Sequence, residues 1–302
     1  MDTTAGIDSV LRALNQVSRR LERTLAELGS RPGPDLELRA LAEDTVASVE
    51  RAPNVALAAI YLNQIAGTYP VRHCVETAIV AALLARALGA TPDDVTAVAA
   101  AALTMNASML RQPERFITAD GSLSAEDRAL IARHPREGME LLQAAGVQDP
   151  RWLEYVLLHH ANPDEPGVPR NARLIGLADR YCSCVSARNY RRSMTPEAAL
   201  ALLAKVEPDP ELVRCAAQQI GRFPPGALVR LENGEVGVVT RRLDDAGDVL
   251  VQVLRDGQGA PLPGGQQRRS GESGCAVAEA LHEDQAGVRF SMKQVWGEAA
   301  AV

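Results

Sequence analysis

The sequence predicts a mainly α-helical protein: a helical bundle, with an N-terminal helical segment before it and a small β domain after it. Three observations predict this. Apolar residues fill 46% of the 302 positions while aromatics supply only 3%, and an Ala- and Leu-rich balance of that kind suits packed helices. From Asp35 to about Gly221 the apolar spacing is helical, punctuated by helix starts at Pro53, Pro70, Thr195-Pro196-Glu197 and Asp209-Pro210-Glu211. After Gly221 the pattern shifts to short strand-like runs joined by Asn233-Gly234 and Ala246-Gly247 turns. The expected division is residues 1–60, 61–221 and 222–302.

The first element is an amphipathic helix over Asp8 to Leu28. Ile7, Leu11, Leu14, Leu21, Leu25 and Leu28 recur in steps of three and four, with Ser18 interrupting. Such a stripe either docks on its own chain or pairs two copies, which makes residues 7–28 the candidate homodimer surface. Gly29 stops the helix, and Arg31-Pro32-Gly33-Pro34 reads as a linker. Within the bundle, Ser124 and Asp127 form an acidic variant of the capping box. Two segments interrupt it: Arg111 to Leu123, with an Asp120-Gly121 turn, and Ala161 to Pro169, rich in Pro and Gly. Phe223-Pro224-Pro225-Gly226 ends the helical region. Strands are expected over Ala227 to Leu231, Glu235 to Arg242 and Val249 to Arg255. The Gly-, Gln- and Ser-rich stretch Asp256 to Gly274 is expected to be mobile, with a last strand over Gly287 to Val295.

Composition excludes several classes of function. The formal net charge is −6, and non-specific nucleic-acid binding needs a basic face. The five cysteines (Cys74, Cys182, Cys184, Cys215 and Cys275) are odd in number and scattered, a pattern of reduced thiols rather than a disulfide framework. No basic stretch followed by an apolar core opens the chain, and no run of 18 apolar residues interrupts it. The expectation is a cytoplasmic protein without a membrane span.

The chemistry concentrates in the histidines. Four of the five (His73, His134, His159 and His160) sit in or beside apolar helical segments, and Asp179 lies in the apolar run Leu174-Ile175-Gly176-Leu177-Ala178. Imidazole and carboxylate groups are costly to bury alone. Their distribution over separate helices points either to one shared site, most simply a metal site, or to satisfied core histidines. His134 precedes Pro135, which places it at an expected helix break. No pair has the i, i+4 spacing of a single-helix zinc motif. Downstream, Arg170, Arg173, Arg180, Arg188, Arg191 and Arg192 cluster in an otherwise acidic chain, with Arg188, Arg191 and Arg192 flanking Tyr190, a combination suited to phosphate and base recognition or to a solvated helix end.

In this order, Arg72-His73-Cys74-Val75, Arg133-His134-Pro135 with Gly138, His159-His160, Gly167-Val168-Pro169, Ala178-Asp179-Arg180-Tyr181, Arg188-Asn189-Tyr190-Arg191 and Pro208-Asp209-Pro210 resemble the HD-GYP domain of bacterial signalling proteins, a helical branch of the HD phosphohydrolase superfamily. The tail Phe223 to Val236 is similar to the segment that often follows that domain. The resemblance runs from Tyr61 to about Val239 and implies an HD-type helical bundle. It implies metal-binding roles for His73, His134, His159, His160 and Asp179, and phosphate contacts for Arg188 and Arg191. Intact members of the family are cyclic di-GMP phosphodiesterases with two or three metals, commonly iron or manganese.

The chain departs from the family where the name-giving His-Asp pair should fall. Met105 and Asn106 stand there, and Met109 stands where the family places a lysine. Asn is a poor bridge between cations, and a thioether is too soft for a hard-metal site. The Gly-Tyr-Pro signature reads Gly167-Val168-Pro169. The expectation is therefore a catalytically impaired regulatory output module of two-component or cyclic-dinucleotide signalling, acting through a protein partner or by sensing a cyclic dinucleotide. The alternative is a residual metal-dependent phosphodiesterase acting on cyclic di-GMP or another phosphoester. The cofactor expectation is none or a single divalent metal: iron, manganese or zinc.

Overall fold

The computed structural model describes residues 9–28, 33–111, 124–163, 165–186, 193–244 and 247–302. Ile7 and Asp8, the residues Gly29 to Pro32, the Asp120-Gly121 turn, Asp164, the run Ala187 to Arg192 and the Asp245-Ala246 positions lie outside the described residues.

Among the described residues, ten helices build the body, each starting where its sequence supplies a cap or a proline. Helix α1 (Val10–Ala26) is capped by the Ser9 hydroxyl, which accepts from the Arg12 N–H at 3.2 Å. Helices α2 (Pro34–Arg51) and α3 (Pro53–Tyr61) open on prolines, whose missing N–H costs nothing in a first turn. Helices α4 (Tyr69–Ala87) and α5 (Pro92–Thr104) form the centre. Helix α6 (Ala125–Ala144) begins with the reciprocal Ser124–Asp127 capping box, and α7 (Pro150–Leu158) is capped by Asp149. Helices α8 (Arg170–Val185), α9 (Pro196–Val206) and α10 (Pro210–Ile220) complete the bundle.

A continuous apolar core runs from Val10 on α1 to Ile220 on α10. Helix α4 lies at its middle, against α1, α2, α5, α8 and α10, which is why almost every face of α4 is apolar. The leucines of α1 (Leu11, Leu14, Leu21 and Leu25) are buried against α2, α3 and α4 of the same chain. Pro135 does not break a helix as the sequence implies; it lies inside an uninterrupted α6.

The C-terminal region is a five-stranded antiparallel sheet in the order β4-β3-β2-β1-β5. Its strands are β1 (Leu228–Leu231), β2 (Val236–Arg242), β3 (Val249–Arg255), β4 (Pro261–Arg269) and β5 (Val277–Leu281). Two expectations are corrected here. The stretch expected to be mobile holds β4, an edge strand paired residue by residue with β3, Gln267 opposite Gln252. Main-chain bonds to one neighbour sustain an edge strand, so it needs no apolar alternation. The segment expected as a last strand holds a short helix, α12 (Met292–Trp296), after another short helix, α11 (Glu283–Ala286). The capping box of Ser291 and Gln294 starts α12 and overrides the β-like composition.

The sheet sits directly on the bundle. Gly226 packs so close to α3 that a Cβ there would lie 2.7 Å from the Ala58 Cα, and its φ of +93° is one that side chains avoid. Two segments far apart in sequence also meet: the Ser9 hydroxyl, which caps α1, donates to the carbonyl of Ala301 and lies 3.3 Å from that of Ala299. Among the described residues, no helix is long and apolar enough to cross a membrane.

Candidate metal centre

Four helices bring the five predicted residues to one place. His73 lies in the second turn of α4, His134 in mid-α6, His159 and His160 at the end of α7, and Asp179 on α8. Nitrogens of His134, His159 and His160 all fall within 4.8 Å of one another. His134 and His159 are buried; His160 is the solvent-facing member, with 36% of its side chain exposed.

Local backbone chemistry explains the aim of the two buried rings. In a helix, residue 135 would normally donate its N–H to the carbonyl of Ile131. Proline has no N–H to give. His134 Nδ1 takes up that carbonyl, 2.6 Å away. His159 repeats the arrangement at the end of α7, with Nδ1 2.7 Å from the Val156 carbonyl. A carbonyl only accepts, so in both rings Nδ1 carries the proton and Nε2 is left with a lone pair. Burial keeps both rings neutral, lowering His134 to about 4 and His159 to about 3.

The two Nε2 atoms face each other at 3.2 Å. With both Nδ1 sites protonated, neither Nε2 has a hydrogen to donate, and two lone pairs at that distance repel. A cation between them removes the conflict. Two nitrogens bound tetrahedrally at zinc–imidazole bond lengths stand roughly 3.3 Å apart. The donor set therefore fits a divalent metal ion, and the cluster is consistent with divalent metal binding.

Asp179 links this triad to His73. Its Oδ1 lies 2.7 Å from His73 Nε2, and its Oδ2 lies 3.9 Å from His160 Nε2. Burial alone raises the carboxyl pKa, but the hydrogen bond and charge of His73, with His160 and His159 behind it, outweigh burial and leave it lowered. Asp179 is thus held ionised. The Tyr69 ring stacks on His73, with centroids 5.8 Å apart.

Two positioning features escape a reading of histidine spacing. A Cβ on Gly176 would stand 2.2 Å from the His159 carbonyl oxygen, so only glycine lets the end of α7 rest on α8. Ser108 donates to the His134 carbonyl at 3.0 Å and ties the segment after α5 to α6. Gly176 was visible as a glycine inside an apolar helix; Ser108 carried no sequence signal.

The residues at the departure from the family lie beside this cluster without forming it. Met105 is fully buried in the core. Asn106 hydrogen-bonds the Cys74 thiol, which burial pushes up to about 12. Met109 is half-buried in a single 3₁₀ turn. Cys182 and Cys184 are buried, and burial raises the Cys182 thiol further from ionisation. Arg188 and Arg191 lie outside the described residues.

Comparison with known proteins places this geometry. The HD domain family pattern matches residues 56–212. The chain is 28% identical over 210 residues to the cyclic di-GMP phosphodiesterase PA4108 of Pseudomonas aeruginosa, covering 66% of this chain and 50% of that protein. It is 31% identical over 137 residues to the cyclic di-GMP phosphodiesterase response regulator RpfG of Xanthomonas campestris, covering 41% of this chain and 35% of that protein. The chain thus spans half of one relative's length and about a third of the other's. Among solved structures, Bd1817, a HDG"Y"P protein from Bdellovibrio bacteriovorus, shares the fold with a TM-score of 0.57 at 18% identity, over 71% of this chain and 73% of that one. These findings correct the expectation of a catalytically impaired output module. Both relatives are phosphodiesterases by name, and the three-imidazole cluster assembles without a contribution from positions 105, 106 and 109.

Proposed function

The chain belongs to the HD domain family, and on that basis we propose that it is a metal-dependent phosphohydrolase acting on a phosphodiester, with cyclic di-GMP as the leading substrate. One observation carries the reading: the Nε2 atoms of His134 and His159 face each other at 3.2 Å while both Nδ1 atoms are committed to carbonyls. The relationship to two cyclic di-GMP phosphodiesterases supports the substrate class.

His134, His159 and His160 would hold one divalent cation, and imidazole donors suit iron, zinc or manganese. When bound, such a cation would supply Lewis-acid polarisation of a phosphoryl oxygen and a lowered pKa for water. The protein does the rest. The carbonyls of Ile131 and Val156 fix the tautomers of the two buried rings. Ionised Asp179 anchors His73 and adds negative charge beside His160, on the side open to solvent. Met105 and the apolar residues of α5 are buried, and α5 packs against α7 and α8, the helices that bring in His159, His160 and Asp179. Arg188 and Arg191 keep the phosphate-contacting role that the family resemblance implies.

The test is elemental analysis of chain expressed with added iron, manganese or zinc, followed by chromatography of cyclic di-GMP incubated with it. About one metal per chain and a linear dinucleotide or mononucleotide product are expected, with His159→Ala losing both. Metal below about 0.1 per chain together with no turnover would overturn the reading.

A further inference from the structure

We propose that Arg180 is a substrate-binding residue of this site, its guanidinium receiving a phosphate of the phosphodiester beside the three-imidazole cluster. The inference rests on the hydrolase reading above for the identity of the anion, but on separate observations for the residue.

The first observation is position. Gly176 is the point where α8 touches the His159 carbonyl. Residues four apart on a helix share a face, so Arg180 stands one turn further along the stripe that carries the His159–His160 turn. It also follows Asp179 directly, the residue whose carboxylate reaches toward His160. Arg180 and His160 thus come from the two segments that meet at Gly176, α8 and the turn that ends α7. His160 is in turn the member of the cluster that faces solvent, so Arg180 lies on the side by which a substrate enters.

The second observation is the missing partner. Arg180 is half-buried on α8. Other half-buried arginines of the helical body are each matched to carboxylates: Arg20 to Glu37 and Asp44, Arg72 to Glu76, Arg151 to Asp94 and Asp149, and Arg173 to Glu207. Among the described residues, no carboxylate and no carbonyl takes up Arg180. A partly desolvated guanidinium without an anion is an unfavourable arrangement that bound phosphate relieves. Arginine also suits phosphate by geometry, offering two parallel N–H donors where lysine offers a point charge.

The test uses the full-length, metal-loaded chain and inorganic phosphate as the probe, titrated calorimetrically. Losing a charged hydrogen-bond pair weakens binding by roughly 10- to 100-fold, and that rise in Kd is expected for Arg180→Gln. Arg180→Lys should recover part of the loss. Metal content and thermal midpoint of both variants should match the wild type, which separates loss of an anion contact from loss of the centre. Under turnover of cyclic di-GMP, Arg180→Gln should raise KM more than it lowers kcat. Unchanged phosphate affinity and unchanged KM in Arg180→Gln would overturn the assignment. Arg180-dependent phosphate binding by a wild-type chain that hydrolyses no phosphodiester would sink the hydrolase reading and leave Arg180 as an anion site.

Discussion

The most specific device in the site is a pair of adjacent residues. Pro135 withholds an N–H from Ile131, and the ring of His134 fills the gap. A proline normally weakens a helix interior by about 3 kcal/mol relative to alanine. Here the loss is coupled to a fixed tautomer. Pro135→Ala should therefore act in two opposite directions. The restored N–H competes for the Ile131 carbonyl, which stabilises α6 and raises the thermal midpoint. The released His134 ring loses its orientation, and metal affinity should fall by roughly 10- to 100-fold, the usual effect of removing an outer-sphere partner. A variant that melts higher and binds metal as tightly as wild type would remove the tautomer argument. Reading the sequence for a broken helix missed this because His-Pro looks the same whether the helix ends there or is repaired by a side chain.

At the scale of elements, the packing of α7 on α8 sets the site. Gly176→Ala drives a methyl group into the His159 carbonyl, and α7 has to move away. Overpacking of this kind destabilises by about 1–3 kcal/mol. The expected result is a lower thermal midpoint together with metal content well below that of wild type, measured on the same preparation. Full metal content in a destabilised Gly176→Ala chain would show that the end of α7 tolerates the shift. Elements differ in how far the sequence reveals them. Helices with a capping residue or a first-turn proline, such as α3, α4, α6, α9 and α10, were legible because those signals are local. Strand β4 was not, since its pairing with β3 is a long-range fact that Gly- and Gln-rich composition conceals. The site lies between these cases. His73, His134, His159, His160 and Asp179 stood out as polar groups in apolar surroundings, but the split into a triad and a His73–Asp179 pair depends on distances that spacing does not encode.

For the whole molecule, the buried rings tie stability to acidity. His134 and His159 ionise near pH 6.5 in an unfolded chain and only near 4 and 3 in the folded one. The unfolded chain therefore binds more protons between those values, and stability rises with pH across that window. Metal-free protein should keep its full stability above about pH 6.5 and lose it progressively as the pH falls toward 4, with His134 alone contributing about 3 kcal/mol. Urea midpoints measured from pH 7 to pH 4 in the presence of a chelator check this, and a flat profile would show that the rings are accessible to protons.

The contact between Ser9 and Ala301 has a consequence for how the chain is made. The two residues are 292 positions apart. A ribosome adding about 5–20 residues per second needs roughly 15–60 s between them. Helix α1 can dock on α2, α3 and α4 long before that, with Ser9 already capping Arg12, but the bond from the same hydroxyl to the Ala301 carbonyl must wait until Ala301 emerges. A nascent chain stalled inside the β region would thus carry a formed bundle whose seam between Ser9 and Ala301 is still open.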